Sequence, residues 1–133
     1  MKTVDKLQTN WLLASEINKL EARIWRISQR EGLKTILFTS AVRGEGKSTT
    51  VAYLATALGM YPDRRILVMD FDFRIPTINN HLGLPQPQGM EKVLEGKISI
   101  DDAITKTDLP SLDMTLPTPG KADPALLLRT RDV

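Results

Sequence analysis

Residues 41–48 have the composition of a phosphate-binding loop, Ala-Val-Arg-Gly-Glu-Gly-Lys-Ser, and Thr49 follows. Backbone N–H groups of such a loop can surround phosphate oxygens, and the N-terminus of the next helix adds partial positive charge. Lys47 would reach the β- and γ-phosphates of a nucleotide, and the Ser48 hydroxyl would ligate Mg²⁺. The usual pattern begins with glycine, and Ala41 takes that position here. The competing interpretation is a Gly-rich turn that serves packing alone.

The flanking residues predict the strand and the helix that such a loop requires. Residues 34–39 predict a first core strand. Residues 47–60 predict a helix, because their apolar positions recur on one face. Residues 66–69 predict a second buried strand, which ends at Asp70. Strand, helix and strand at this spacing predict a βαβ unit, a parallel sheet and a right-handed crossover.

A second chemical motif follows that strand, where Asp70, Asp72 and Arg74 alternate with apolar residues. Ligands bind at the carboxyl edge of parallel strands, and carboxylates there can hold Mg²⁺ or accept a proton from an attacking hydroxyl. Four interpretations are open. Asp70 is an ordinary Walker B aspartate, or the ribose-binding acid of a dinucleotide fold, although the loop lacks the GxGxxG pattern. Alternatively, both aspartates form a second nucleotide motif, or they are solvated turn residues.

The remaining sequence predicts smaller elements around this unit. Apolar spacing predicts an amphipathic helix at about 12–30. Further short helices are predicted at 77–82, 90–94, 101–105 and from Pro124, a loop at 85–89, and a third strand at 112–116. We therefore expect a single nucleotide-binding domain, residues 1–133, with its core at about 34–128.

Composition excludes several classes of protein. The net charge of +2 is too small to indicate nucleic acid as the main partner. The chain has no cysteine, which excludes a disulfide framework and a thiolate metal site. It shows neither a transmembrane run nor a secretory segment, so we expect a cytoplasmic protein.

The segments 39–49 and 66–76 resemble the bacterial tyrosine kinases of capsule and exopolysaccharide export, within the wider MinD/ParA group of P-loop ATPases. The first segment looks like their Walker A motif and the second like their Walker A′ motif. Weaker similarity extends the resemblance from about residue 14 to about residue 128. It implies an α/β P-loop NTPase fold, with a parallel sheet flanked by helices.

The resemblance also implies roles for individual residues. Lys47, Asp70 and Asp72 would be catalytic, and Ser48, Asp70 and Asp72 would hold Mg²⁺. The residues that would contact ATP are Ala41, Val42, Arg43, Gly44, Glu45, Gly46, Lys47, Ser48, Thr49 and Arg74.

By the same resemblance, this is an ATP-binding tyrosine autokinase domain that acts in exopolysaccharide or capsule synthesis. Its partner would be an inner-membrane chain-length-determinant (co-polymerase) protein, which would place the kinase at the inner face of the plasma membrane. The predicted first helix lies where the family has a Glu-x-x-Arg-x-x-Arg motif for ring assembly. Here Glu16 and Lys19 are followed by Arg23 and Arg26, an imperfect match, and a homo-oligomer formed through this helix is what the resemblance implies.

Departures from the family pattern keep two alternatives open. Val42 stands where MinD and ParA proteins carry a lysine that reaches across a dimer, which disfavours a nucleotide-sandwich partitioning ATPase. Arg43 stands where the kinases usually have proline. After Leu116 no apolar run ends in aspartate, so we expect a sheet that is incomplete at its C-terminal end and lacks the Walker B part. Tyr53 and Tyr61 are the only tyrosines. The alternatives are a MinD/ParA-type ATPase and a non-catalytic nucleotide-binding regulatory fragment.

Overall fold

Seven helices and three short strands make up the regular structure of residues 3–84, 89–120 and 123–129, which the computed structural model describes. The helices are α1 (Thr3–Thr9), α2 (Trp11–Glu31), α3 (Lys47–Gly59), α4 (Ile78–Leu82), α5 (Met90–Leu94), α6 (Ile100–Ala103) and α7 (Pro124–Arg129). The strands are β1 (Ile66–Met69), β2 (Thr105–Lys106) and β3 (Leu112–Thr115). The predicted loop at 85–89 lies outside the described residues, apart from Gly89.

The sheet has the order β1-β3-β2. Strands β1 and β3 are parallel, in a register that pairs Ile66 with Leu112 and Met69 with Thr115. This confirms two of the predicted strands and their parallel arrangement. Strand β2 was not predicted, and it pairs with β3 in the antiparallel direction. It follows α6 directly, because the backbone is already extended at Ile104, one residue after the helix ends.

The predicted first core strand at 34–39 is wrong. Residues 32–40 have no regular secondary structure, and the Leu37 side chain is 86% exposed. The apolar pattern indicates a strand, but a strand forms only where a neighbour satisfies its backbone N–H and C=O groups. Among the described residues, none of the strands pairs with this segment. The predicted βαβ unit is therefore incomplete, and irregular backbone leads into the loop at 41–46.

Helix α3 covers one face of the sheet and forms the main core with it and α4. Their buried apolar side chains form a cluster of Ala52, Ala55, Val68, Ile78, Leu82, Leu112, Met114 and Leu116. The end of α3 lies very close to β3, since a Cβ added at Gly59 would lie 2.7 Å from Cβ of Leu112. Only glycine permits this approach, and it fixes α3 against the sheet.

Helix α2 confirms the predicted amphipathic helix at 12–30. The Asn10 side chain accepts a hydrogen bond from the Leu13 N–H at its start, and Gly32 ends it in the left-handed conformation with φ 67°. Glu21 of this helix forms a buried ion pair with Arg64, in the turn before β1. The Arg64 guanidinium carbon lies 4.0 Å from the ring centroid of Trp25 and 3.8 Å from that of Tyr61. These contacts attach α2 to the core.

Helix α1 was not predicted from the sequence. It precedes Asn10 and packs beside α2 and α3. Within the described ranges, every helix is too short or too polar to traverse a lipid bilayer.

Candidate functional site

The loop at 41–46 is shaped by two glycines and one carboxylate. Gly44 and Gly46 have φ of 82° and 83°, a conformation that side chains with a Cβ rarely adopt. The Glu45 Oε2 atom accepts hydrogen bonds from the backbone N–H of Ala41 at 3.0 Å and of Val42 at 3.3 Å. The loop is therefore closed on itself by its own side chain.

Helix α3 begins immediately after this loop. Gly46 is its N-cap residue and has no side chain that could accept the first free N–H groups of the helix. Lys47 is exposed, and Ser48 and Thr49 are half-buried in the first turn. An uncapped helix N-terminus with a lysine beside it is suited to an anion such as phosphate.

Asp70 directly follows β1 and is largely buried, only 7% exposed. Its Oδ1 accepts a hydrogen bond from the Asp72 N–H at 2.9 Å. Its Oδ2 is buried and makes no hydrogen bond of normal geometry among the described residues, although the backbone N–H groups of Thr77 and Ile78 lie near the carboxylate. Buried carboxylate oxygens are normally hydrogen-bonded, so Oδ2 retains acceptor capacity that a cation could use.

The environment of Asp70 disfavours its charged form. Burial is the main cause that raises the pKa of Asp70, and the negative charge of Asp72 raises it further. The backbone N–H groups of Asp72, Thr77 and Ile78 lower the pKa in part. A bound cation would reverse this balance, because it stabilises the carboxylate form of both aspartates.

Asp72 organises the turn that follows. Its Oδ1 accepts hydrogen bonds from the N–H of Arg74 at 3.2 Å and of Ile75 at 3.0 Å. The Arg74 side chain is exposed. The hydrogen bond of Arg74 to Asp72 is made by its backbone N–H. The interpretation of solvated turn residues is therefore wrong for the buried Asp70, whereas Asp72 does shape the turn.

The fold brings the loop and the two aspartates to the same end of the sheet. Helix α3 packs on β1 through Ala52, Ala55 and Val68, and the short segment 60–65 joins the two elements. Helix and strand therefore run in opposite directions, which directs the start of α3 towards the end of the sheet where β1 ends. Ligands bind at this carboxyl edge in open α/β sheets.

The segment after β3 lies at this same edge and is held by contacts that the sequence did not predict. The buried Glu91 carboxylate accepts hydrogen bonds from Thr118, from its N–H at 2.9 Å and its hydroxyl at 2.7 Å. The Gly120 N–H donates to the carbonyl of Phe73 at 3.4 Å. Residues 117–120 are thereby joined to the turn that carries the aspartates. A glutamate 27 positions from its partner leaves no local sequence signal.

The acidic groups at this edge fit Mg²⁺, which needs few protein ligands, better than a metal ion that is coordinated by protein side chains alone. No group of three or more His, Cys, Asp or Glu side chains that could hold a metal occurs within the described residues. Mg²⁺ is commonly held by one or two carboxylates together with phosphate oxygens and water. Asp70, Asp72 and a hydroxyl such as that of Ser48 match this donor set.

The other predicted residues lie in open surroundings. Val42 is 63% exposed, and Arg43 is exposed as well. On α2, Lys19 pairs with Glu16 at 2.8 Å on an exposed face, while Arg23 and Arg26 are also exposed. The charged residues of the predicted assembly motif therefore lie on an exposed face of α2, and their role in assembly stays a prediction.

A glycine-shaped loop, an uncapped helix start and two carboxylates at one sheet edge define an α/β protein with a candidate phosphate and cation site. No known protein family matches the chain by its family profile. The chain is 30% identical over 134 residues to the tyrosine-protein kinase YwqD of Bacillus subtilis (strain 168), covering 95% of this chain and 56% of that protein. A ParA family protein of Chlamydia trachomatis is 32% identical over 84 residues, which are 62% of this chain and 32% of that protein.

A solved structure agrees with the sequence comparison. The chimerical protein CapA2B2 superposes with a TM-score of 0.61 at 28% identity, over 80% of this chain and 48% of its own. The resemblance drawn from the two motifs is confirmed: the chain is related to the bacterial tyrosine-protein kinases, within the ParA/MinD-like group. It spans about half the length of YwqD and of the chimera.

Proposed function

We propose that this chain binds ATP and Mg²⁺ at the loop 41–49, as the nucleotide-binding part of a tyrosine autokinase of exopolysaccharide or capsule synthesis. The observation that carries the proposal is the buried Asp70 carboxylate at the sheet edge towards which the start of α3 is directed, with an Oδ2 that makes no hydrogen bond of normal geometry among the described residues. A carboxylate oxygen that retains acceptor capacity is suited to a cation, and the uncapped helix start is suited to a phosphate. The similarity to named tyrosine-protein kinases supports the nucleotide as the source of that phosphate.

Each predicted residue has a role in this proposal. The N–H groups at the start of α3 would hold phosphate oxygens, and Lys47 would neutralise charge on the β- and γ-phosphates. Ser48, Asp70 and Asp72 would hold Mg²⁺, which when bound offsets the negative charge of the phosphates. One of the two aspartates would accept the proton of the tyrosine hydroxyl. Arg74 would contribute a cation at the rim.

The proposal extends to the whole chain and its surroundings. Residues 1–133 would form one domain of the P-loop NTPase type, with α2 as its N-terminal helix. Its partner would be an inner-membrane chain-length-determinant protein, and binding to that partner would place the domain at the cytoplasmic face of the membrane. The partner and the location are proposed from the similarity to tyrosine-protein kinases alone.

Nucleotide binding is the first test. We expect a fluorescent ATP analogue to bind in the presence of Mg²⁺, and Lys47→Ala to weaken binding about 10- to 100-fold, as for the loss of a hydrogen bond to a charged group. Lys34→Ala is the matched control, since Lys34 is also exposed but precedes the loop. Equal binding by both variants and the wild type would contradict the proposed site.

Catalysis is tested separately. With ATP and Mg²⁺, phosphotyrosine that forms in the wild type and not in Lys47→Ala would support the autokinase. Release of phosphate without phosphotyrosine would favour an ATPase of the ParA type, a candidate that the Chlamydia trachomatis relative supports. Tight binding without either product would favour a regulatory nucleotide-binding role.

A further inference from the structure

Glu45 has a contact that phosphate binding alone does not explain. One oxygen of its carboxylate, Oε2, accepts the N–H groups of both Ala41 and Val42. Glu45 thus connects the last part of the loop to its first two residues. Because the acceptor is a single oxygen, an amide oxygen in the same place could accept both hydrogen bonds.

The neighbouring glycines give such a connection a physical purpose. Gly44 and Gly46 flank Glu45, and both lie in the left-handed region. A Cβ added at either position would meet no atom within 4 Å, so close packing does not require glycine there. Glycine gives the backbone freedom to adopt this shape, but it also leaves many other shapes accessible in an exposed loop.

We propose that Glu45 is a positioning residue, which holds Ala41 and Val42 in the turn that presents the rest of the loop to phosphate. This inference rests on the proposed nucleotide-binding function. Glu45 makes no contact with phosphate in this role. It acts by pre-ordering the loop, so that less conformational entropy is lost when the ligand binds.

The opposite role has a distinct signature. A carboxylate that occupies N–H groups can also act as an internal anion that competes with phosphate. In that case its removal would strengthen nucleotide binding, whereas removal of a positioning residue weakens it. The sign of the effect therefore separates the two roles.

The experiment combines amide hydrogen exchange, measured by NMR, with titration of a fluorescent ATP analogue. In the wild type we expect slowed exchange at the amides of Ala41 and Val42. Glu45→Ala should lose that protection and bind the analogue about 3- to 10-fold more weakly, since exposed hydrogen bonds to a charge contribute modestly. Glu45→Gln should keep the protection and bind within about 3-fold of the wild type, because its amide oxygen replaces Oε2.

Glu31→Ala is the matched control, because it removes an exposed glutamate at the end of α2, outside the loop. It should change neither measurement. Tighter binding by Glu45→Ala would overturn the proposal, and so would a Glu45→Gln variant as impaired as Glu45→Ala. If the wild type binds no nucleotide, the proposed function fails, and the exchange rates alone decide whether Glu45 orders the loop.

Discussion

Removal of the Glu21 carboxylate should destabilise this fold far more than a change in a surface charge. The side chains of Glu21 and Arg64 are only 6% and 7% exposed, and they form an ion pair. An arginine cannot lose its proton to escape burial. A buried pair that loses one partner typically costs about 3–5 kcal/mol of stability.

Two features of the Glu21–Arg64 ion pair determine where in this range the loss of stability should fall. Arg64 Nε is already buried without a hydrogen-bond partner among the described residues, so the guanidinium has little to replace Glu21. The rings of Trp25 and Tyr61 remain on the guanidinium in the variant, and each cation–π contact retains about 1–2 kcal/mol. We therefore expect Glu21→Ala to lower the free energy of unfolding by about 3 kcal/mol. Glu21→Gln should lose about half as much, because its amide oxygen can still accept a hydrogen bond.

Urea unfolding, followed by tryptophan fluorescence, measures these differences. Glu16→Ala is the control, because the Glu16–Lys19 pair is exposed and screened by solvent, so its loss should leave the free energy of unfolding nearly unchanged. The double variant Glu21→Leu with Arg64→Met should return to within about 1 kcal/mol of the wild type, since an apolar pair avoids the cost of buried charge. A Glu21→Ala variant as stable as the Glu16→Ala variant would refute the reasoning.

Two further predictions concern the pKa of buried carboxyl groups. Asp70→Asn should raise the free energy of unfolding by about 1 kcal/mol at neutral pH without Mg²⁺, because it removes a poorly satisfied buried charge. Since the pKa of Asp70 is raised, its contribution to stability is present below the unfolded pKa and is lost as pH rises through the folded pKa. The gain should vanish in acid, and urea titrations across pH would contradict this if the gain were constant. For Glu91, burial is the largest effect and raises the pKa, but the hydrogen bonds from Thr118, together with Lys92, outweigh it and lower the pKa overall. Its stabilisation is present above the unfolded pKa and lost as pH falls through the folded pKa, so Glu91→Gln should cost about 1 kcal/mol at neutral pH and flatten the acid side of the profile. An unchanged acid slope in the same titrations would count against the role of Thr118.

The parts of the candidate site could be predicted from the sequence because each of them is local. The loop pattern fixes where Gly44 and Gly46 must turn the chain, and the apolar run 66–69 places Asp70 at a strand end. Parallel pairing of that strand with 112–115 is also as predicted. These inferences need only neighbouring residues, whose spacing carries the physical signal.

The errors concern structure that depends on distant partners. Residues 34–39 have the composition of a strand, but strand formation also requires a neighbour to pair with, and composition cannot supply one. Strand β2 forms for the opposite reason, since its short sequence is weak and β3 provides the partner. Neither the ion pair of Glu21 nor the hydrogen bonds of Glu91 can be read from spacing, because both join residues far apart in sequence.

The turn at Tyr61–Arg64 has a consequence for how quickly the chain folds. Arg64 meets Glu21 from 43 positions away, and the Tyr61 carbonyl accepts the Ser111 hydroxyl from 50 positions away. Both contacts involve the same short turn. Each of them closes a long loop, and the chain loses conformational entropy when that loop closes. Chains dominated by such distant contacts fold slowly. The contacts of this turn are therefore expected to form after the local hydrogen bonds of α2 and α3.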